Sequence, residues 1–563
     1  MPSSGHRHRA LCVAAALLGA STGAPAEDRI PDFSYSRPKS PQQFLPPLDE
    51  HPAPPRIRFG VFRPFNPIDT FILAKIKENK VRPAPLCIDW DFARRASLDL
   101  VGVIPTAVDL ERYFNWKTDE RRRRWVDFLL KQPQYADHWT IFWGDLLREQ
   151  GQVRGAADNA LKDFLHESLR ENRPFDQWVR RLITADGTAE QDAAVAFVLR
   201  DRVDPDVLTV TVSQAFLGIQ LKCAQCHDHP FDWWTQKDFQ NMAAFWQGTH
   251  QRRERVEEIT VGDQTITRPT LAVHERERRG RGLFLTGATS NEGRGRRALA
   301  DLVTRRDNPY FARVAVNRLW EKLMGTGLVN PADNFSALNP PSHETLLDWL
   351  ALEFVDSGYD LRHVLRLIAN SRTYQQTTRR NVKRIVLPND VKRLDADGHE
   401  IIEGALFEAL PLRRMTAEQI HDSILAACGH YFADGRRFSP SITKTYPPPP
   451  RDFLRIFGAT DRDTLLPRNT TPSIQQALTL LNGDFVNRAV MLHADHPLVW
   501  WQRQQGLGTA QMVDALFAQF LTRLPTAAER RAAMNYVGFG REDWPWEDLQ
   551  WALINTREFQ YIR

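Results

Sequence analysis

The stretch Asp360-Leu361-Arg362-His363-Val364-Leu365-Arg366-Leu367-Ile368 decides the fold class. Leu361, Val364, Leu365 and Ile368 recur at i, i+3, i+4 and i+7, which predicts a helix with one apolar face. Asp360 ahead of them supplies the carboxylate that caps free amides of the first turn. The same signal spreads in both directions. Towards the N-terminus, Ile68, Ile72 and Ile76 keep helical spacing, and Asp91 to Leu100 predicts a helix that ends at a turn on Gly102. Thr106 with Asp109 makes a capping box for the next helix. Trp139 to Leu147 reads as helix, and Val212, Phe216 and Ile219 share one face. Towards the C-terminus, capping boxes fall at Thr416 with Gln419 and at Thr526 with Glu529, the latter opening a last helical hairpin. Pro447 to Pro450 cannot continue a helix and reads as a surface loop.

Only one segment breaks the pattern. Val256 to Thr267 alternates across the turn pair Gly262-Asp263, which predicts a short β-hairpin, and the chain from there to Gly295 is rich in Gly and Arg. The expected fold is therefore mainly α, with two helical domains joined by a short connector that contains the hairpin. The expected boundaries are a signal peptide at 1–26, a Pro-rich extended lead-in at 27–65, a first helical domain at 66–248, the connector at 249–295 and a second helical domain at 296–563. No internal repeat with a period of about 20 to 50 residues occurs.

The 563 residues suit two to four domains, and 42% hydrophobic with 25% charged residues is the balance of a soluble globular chain. The 74 basic and 69 acidic residues leave a net charge of +5, too small to imply a nucleic-acid partner. The run Arg121 to Arg124 reads as a solvated helix face. At the start of the chain His6, Arg7, His8 and Arg9 are followed by the apolar stretch Ala10 to Ala20 and by Ala24-Pro25-Ala26, the pattern of a cleavable export signal. That predicts a periplasmic or secreted protein, and no later segment is long and apolar enough to span a membrane in the mature chain. Cys12 leaves with the signal, so Cys87, Cys223, Cys226 and Cys428 remain. An oxidising compartment permits a bridge between Cys87 and Cys428, whose roles the sequence leaves open.

The sharpest chemical signal is Cys223-Ala224-Gln225-Cys226-His227, the C-x-x-C-H string of covalent c-type haem attachment. Two thiols about one turn apart add to the two vinyl groups of one porphyrin, and the adjacent imidazole then serves as proximal iron ligand. With only five Cys and 16 His in the chain, composition alone would produce this string in roughly one such protein in a thousand, so chance is set aside. The expectation is one covalent haem c, anchored by Cys223 and Cys226 and ligated by His227. Phe231, Trp233, Trp234, Phe239, Phe245 and Trp246 are candidates for its apolar walls. The distal position stays open among Met242, His250, His138 and water, and His229 is expected to hydrogen-bond with Asp228 or Asp232.

Two rival readings of the cysteine pair are weaker. A structural zinc site wants a second x-x-spaced pair, and adjacent Cys226 and His227 fit one tetrahedron poorly. A dithiol redox site wants a βαβ setting, whereas the residues ahead of Cys223 look helical. There is no G-x-S-x-G elbow, Walker loop or dinucleotide fingerprint, so acyl, phosphoryl and hydride chemistry lack support. Asp145 with Arg148 and His343 with Asp348 sit at helical spacings and read as ion pairs or caps.

Nearly end to end, the chain resembles the planctomycete cytochrome C-like domain followed by the planctomycete-specific C-terminal domain, paired domains of unknown function. In the first half the likeness rests on NPIDTFILAK at Asn66 to Lys75, RRASLDLVGVIPT at Arg94 to Thr106, FLGIQLKCAQCHDHPFD at Phe216 to Asp232 and QKDFQNMAAF at Gln236 to Phe245. In the second it rests on NPYFARVAVNRLW at Asn308 to Trp320, NPPSHETLLDWL at Asn339 to Leu350, SRTYQ at Ser371 to Gln375, TPSIQQALTLLNGDFV at Thr471 to Val486 and WALINTREF at Trp551 to Phe559. The resemblance implies a cytochrome-like site at Cys223, Cys226 and His227. Its members commonly carry a His-Trp pair in the aromatic helix; this chain has Phe142-Trp143, so an iron-binding role for that His does not carry over. Similar proteins occur beside exported sulfatase- or carbohydrate-related proteins, which implies an extracellular polysaccharide as a partner.

The expected function is an exported c-type haem protein that transfers single electrons or performs haem-dependent redox chemistry with an unidentified redox partner. The alternative is a periplasmic carbohydrate-active enzyme or glycan-binding protein in which the Cys/His site is secondary or holds another metal such as zinc.

Overall fold

The computed structural model describes residues 45, 48, 51–55, 63–154, 156–261, 264–275, 282–291, 295–378, 406–431, 439–463, 468, 471–493, 496–499, 501, 506–538 and 543–563. The predicted signal segment lies outside them. The first helical region runs α1 Pro67–Glu78, α2 Asp89–Val101, α3 Ala107–Asn115, α4 Arg121–Leu129, α5 Pro133–Leu146, α6 Ala160–Arg170, α7 Phe175–Thr184, β1 Gly187–Thr188, α8 Val195–Arg200, α9 Pro205–Leu217 and α10 Gln236–Ala243. A hairpin of β2 Thr249–Val261 and β3 Gln264–Glu275 follows. The second region runs α11 Gly295–Thr304, α12 Phe311–Met324, α13 Glu344–Asp356, α14 Leu361–Ala369, β4 Arg413–Arg414, α15 Ala417–Ala427, α16 Phe453–Ile456, α17 Ile474–Asn482, α18 Asp484–Ala489, α19 Thr509–Leu521, α20 Ala527–Gly538, α21 Trp544–Ile554 and β5 Tyr561–Ile562.

The molecule is mainly helical, as the apolar periodicity predicts. In α14 Leu361, Val364, Leu365 and Ile368 are all buried, and Asp360 accepts from the His363 amide at 3.1 Å. The capping boxes at Thr106, Thr416 and Thr526 form. The hairpin is longer than its alternation shows: β2 and β3 pair antiparallel from Thr249↔Glu275 to Val261↔Gln264, and β1 adds a third strand on β3. The turn residues Gly262 and Asp263 fall outside the described residues. Among the described residues no helix is long and apolar enough to cross a membrane.

Ser40–Arg563 form one compact unit, whose main core draws on both helical regions, from Ile68 and Trp125 to Trp320 and Leu365. A second cluster gathers the last helices around Val513, Phe520 and Ile554 and reaches back to Leu98 and Ile104. Buried arginines tie the regions together. Arg94 donates to the carbonyls of Phe520 and Phe559, at 3.1 and 2.7 Å, and Arg95 to those of Tyr374 and Gln376, at 2.7 and 2.8 Å.

Several sequence expectations are corrected. Cys87 and Cys428 are both buried and free, in different core clusters, so they do not form a bridge. The arginine run is only half solvated: Arg123 and Arg124 are exposed, but Arg121 and Arg122 both clamp Asp89, at 3.2 and 2.8 Å. Asp145 does not pair with Arg148; it takes Arg462 at 2.8 Å and Arg468 at 2.5 Å, while Arg148 turns to Asp201 at 3.3 Å. Asp348 pairs with Arg313 at 2.6 Å rather than with His343. For both Asp145 and Asp348 an arginine distant in sequence takes the place of the neighbour close in sequence.

Candidate functional site

The cysteine string sits just beyond α9, whose sequence sets up the turn. Gly218 ends the helix at φ +64. A Cβ there would lie 2.7 Å from Phe335 and 2.8 Å from Val314. Glycine alone therefore lets the chain reverse against α12. Residues Leu221–Gln225 then form a 3-10 turn with Cys226 as its cap. A 3-10 turn repeats every three residues, so side chains three apart share a face. Leu221 and Ala224 are fully buried and pin one face to the core, which leaves Cys223 and Cys226 together on the outer face, both exposed and both free.

Hydrogen bonds hold the turn without using the thiols. Gln225 Nε2 donates to Asp206 Oδ2 at 3.0 Å, Lys222 Nζ to Gln225 Oε1 at 2.7 Å, and Gln236 Nε2 to the Cys226 carbonyl at 3.0 Å. The loop behind is closed by Gln236 N to Asp228 Oδ1 and by His229 N to the Trp234 carbonyl, each 2.8 Å. His227 is the informative group. Its Nδ1 lies 2.7 Å from the Asp228 carbonyl oxygen. That oxygen can only accept, so Nδ1 carries the hydrogen and the neutral ring keeps its free lone pair on Nε2. Ring nitrogens that ligate metals are commonly oriented in this way by a backbone carbonyl on the other nitrogen.

The surroundings differ from the expected apolar pocket. Trp234, Phe239, Phe245 and Trp246 are buried in the core and cannot face a group on the outer side of the turn; Trp233 is half-buried and Phe231 stands 68% exposed. Met242 is likewise core, in α10. His250 lies in β2, in register with His274. His229 takes a backbone partner in place of the expected carboxylate, its Nδ1 accepting from the Phe231 amide at 3.2 Å. Among the described residues no three His, Cys, Asp or Glu side chains converge to hold a metal ion.

A second feature escaped the sequence reading. His138 and Phe142 of α5, Arg318, Glu321 and Lys322 of α12, and Arg468 help line a cavity of about 320 Å³ between the two helical regions. His138 and Phe142 are four residues apart and share a face of α5; Arg318 and Lys322 do the same on α12. Arg468 is ion-paired with both Asp145 and Glu418. Burial pushes the Glu418 carboxyl up, but Arg468 outweighs it and holds the group down to about 2. Burial drives His138 well below the ordinary imidazole value, with the Lys322 and Arg468 charges adding to the effect, so the ring is neutral. Burial also lowers the Lys322 ammonium to about 8, helped by Arg468 and Arg413, and raises the Glu321 carboxyl. Opposed perturbations in one cleft mark a functional-site candidate. Its parts come from positions far apart in the chain, and the sole local hint is the 138/142 and 318/322 spacing.

Residues 67–251 match the family model described as PSCyt2, Protein of unknown function (DUF1549), and residues 295–537 match the one described as PSD1, Protein of unknown function (DUF1553). The chain thus carries two paired domains of unknown function. No curated protein and no solved structure matches it.

Proposed function

We propose, taking this pair of adjoining domains as the premise, that the protein is an exported c-type haem protein of the planctomycete cytochrome C-like kind. The observation that carries the reading is the state of Cys223, Cys226 and His227. Two free thiols share the outer face of one rigid turn, and the neighbouring imidazole has its Nδ1 hydrogen committed to the Asp228 carbonyl, leaving Nε2 to bind iron. The residues fit the group: Cys223 and Cys226 would anchor the porphyrin by thioether bonds, and His227 would be the proximal ligand. Bound haem would supply an iron that exchanges single electrons.

The chain's own residues determine the rest. Leu221 and Ala224 keep the turn fixed to the core, and Gln236 holds the Cys226 carbonyl so that the cysteines do not drift apart. Exposed Phe231 offers apolar surface beside the turn. The solvent-facing position of the thiols suits electron exchange with a partner at the surface. A zinc site would need further ligands that do not converge among the described residues.

The test is expression of the full chain in a periplasm with an active haem-ligation system. The expected product is coloured, keeps its peroxidase stain on a denaturing gel, and loses it in Cys226→Ala. His227→Ala should keep covalent haem but shift the Soret band. Colourless wild-type protein from a host that loads a control cytochrome would refute the reading and favour a glycan-binding or carbohydrate-active role.

A further inference from the structure

We infer that the cavity between α5, α12 and Arg468 is a binding site for a small organic monocarboxylate, whose carboxylate pairs with the Lys322 ammonium. The volume of about 320 Å³ falls at the lower end of small-molecule sites. What selects the ligand is an imbalance of partners. Arg468 is held by Asp145 and Glu418, and Arg318 donates Nη2 to the Gln214 carbonyl at 2.7 Å and faces Asp333 and Glu321. The Lys322 carbonyl accepts from Arg413 Nη1 at 2.7 Å, but its ammonium has neither a hydrogen bond nor an ion pair among the described residues; Nζ lies 6.0 Å from the Phe142 ring centroid. Part-buried at the cavity wall with no counter-charge in contact, the ammonium gains an ion pair from an incoming anion in surroundings less polar than bulk water.

An independent observation points to the same space. His138 is 8% exposed, and its Nε2 is buried without a hydrogen-bond partner. With its other ring nitrogen donating to the Asp99 backbone, the neutral ring offers Nε2 as an acceptor, which a hydroxyl on the ligand, not its carboxylate, would satisfy. The charges choose among anions. Asp145, Glu418, Glu321 and Asp333 all line the cavity, so a phosphate or sulfate dianion would meet four carboxylates where, of the cations among the described lining residues, only Lys322 and the carbonyl-bonded Arg318 stand outside an ion pair. A single carboxylate brings the least charge against those four and matches the Lys322 ammonium. Ile141, Phe142 and Leu146 give the rest of the ligand an apolar wall.

The field at Lys322 agrees. The groups facing it are Arg468 and Arg413, which lower its proton affinity, and Asp99 and Glu418, which raise it; His138 is neutral, and burial also favours the neutral form of Glu321. Proton loss near pH 8 therefore removes the charge the ligand needs.

The test is calorimetric titration of the full-length protein with benzoate and D-glucuronate, each against its uncharged counterpart, benzyl alcohol or D-glucose, and with phosphate and sulfate. At least one carboxylate should bind ten times tighter than its uncharged counterpart and tighter than either dianion. Its affinity should fall about tenfold per pH unit above about 8. Lys322→Met should abolish binding, whereas Lys322→Arg should bind without that fall, because guanidinium stays charged. The inference is overturned by equal binding of the uncharged counterparts, by preference for a dianion, by a wild-type affinity flat across pH 7 to 10, or by no probe binding at millimolar concentration. The wild-type pH series decides the matter even where a variant does not fold, and none of these outcomes depends on haem.

Discussion

Asp69 lies fully buried at the start of α1 and accepts from the amides of Phe65, Asn66, Arg372 and Thr373 and from the Thr373 hydroxyl, at 2.8 to 3.3 Å. One carboxylate therefore serves as helix cap and as clamp between chain segments distant in sequence. Removing it leaves several buried donors unsatisfied, each worth roughly 1 to 3 kcal/mol. Asp69→Ala should lower unfolding free energy by about 3 to 5 kcal/mol in denaturant titration; a loss under about 1 kcal/mol would mean that water replaces the carboxylate. Asp99 has the same character, held by both nitrogen–oxygen contacts to Arg413 Nη2, at 2.7 and 2.9 Å, and by the Tyr374 hydroxyl at 2.8 Å.

At the scale of elements, Gly102 shows why α2 ends where it does. It sits at φ +76, and a Cβ added there would come 2.5 Å from His138 Nδ1. Gly102→Ala combines left-handed strain with a clash against a packed ring and should cost about 2 to 4 kcal/mol, read as a fall in melting temperature. Because the displaced ring is His138, the same variant should also weaken carboxylate binding in the neighbouring cavity. Signals of this local kind were legible: the Gly102 turn, the caps at Thr106, Asp360 and Thr416, and the apolar face of α14 all follow from residues within one or two turns of each other. The cysteine string was legible for the same reason, and its burial pattern adds the inner face that Leu221 and Ala224 provide. What could not be read is everything set by distant partners. Asp145 looked like a mate for Arg148, yet its partners are Arg462 and Arg468, and Trp234 and Phe245 looked like pocket walls, yet they pack in the core. Apolar content predicts burial; it does not say which face a buried ring serves.

For the whole molecule, acid should be the weak direction. His496 is buried, its Nδ1 accepting from the Leu498 amide and its Nε2 donating to Gln550 Oε1, so the neutral ring is satisfied and a second proton would break a bond. Burial, with His493 beside it, pushes His496 down to about 3, and burial does the same to His343. The unfolded chain binds these protons near pH 6.5 and the native chain only near 3. Stability is thus present above 6.5 and lost as pH falls towards 3, by up to about 1.4 kcal/mol per unit for each ring. Melting temperature should drop between pH 6.5 and 4.5, and His496→Gln should flatten that slope. Cooperativity is the second whole-molecule property. Residues 66–248, the expected first domain, place Asp69, Arg94, Arg95 and Asp99 in the interior with their partners in residues 372–376, 413, 520 and 559. Cutting the chain removes those partners together with the second region's share of the common core and opens the apolar face of the fragment to water, so the burial that offsets the entropy of ordering it is lost. The isolated 66–248 fragment should therefore show no cooperative calorimetric transition and a poorly dispersed NMR spectrum, whereas the intact chain should unfold in one step. A fragment that melts sharply with native-like dispersion would show that its interior charges find other partners, and that the two regions are held together by less than their shared core suggests.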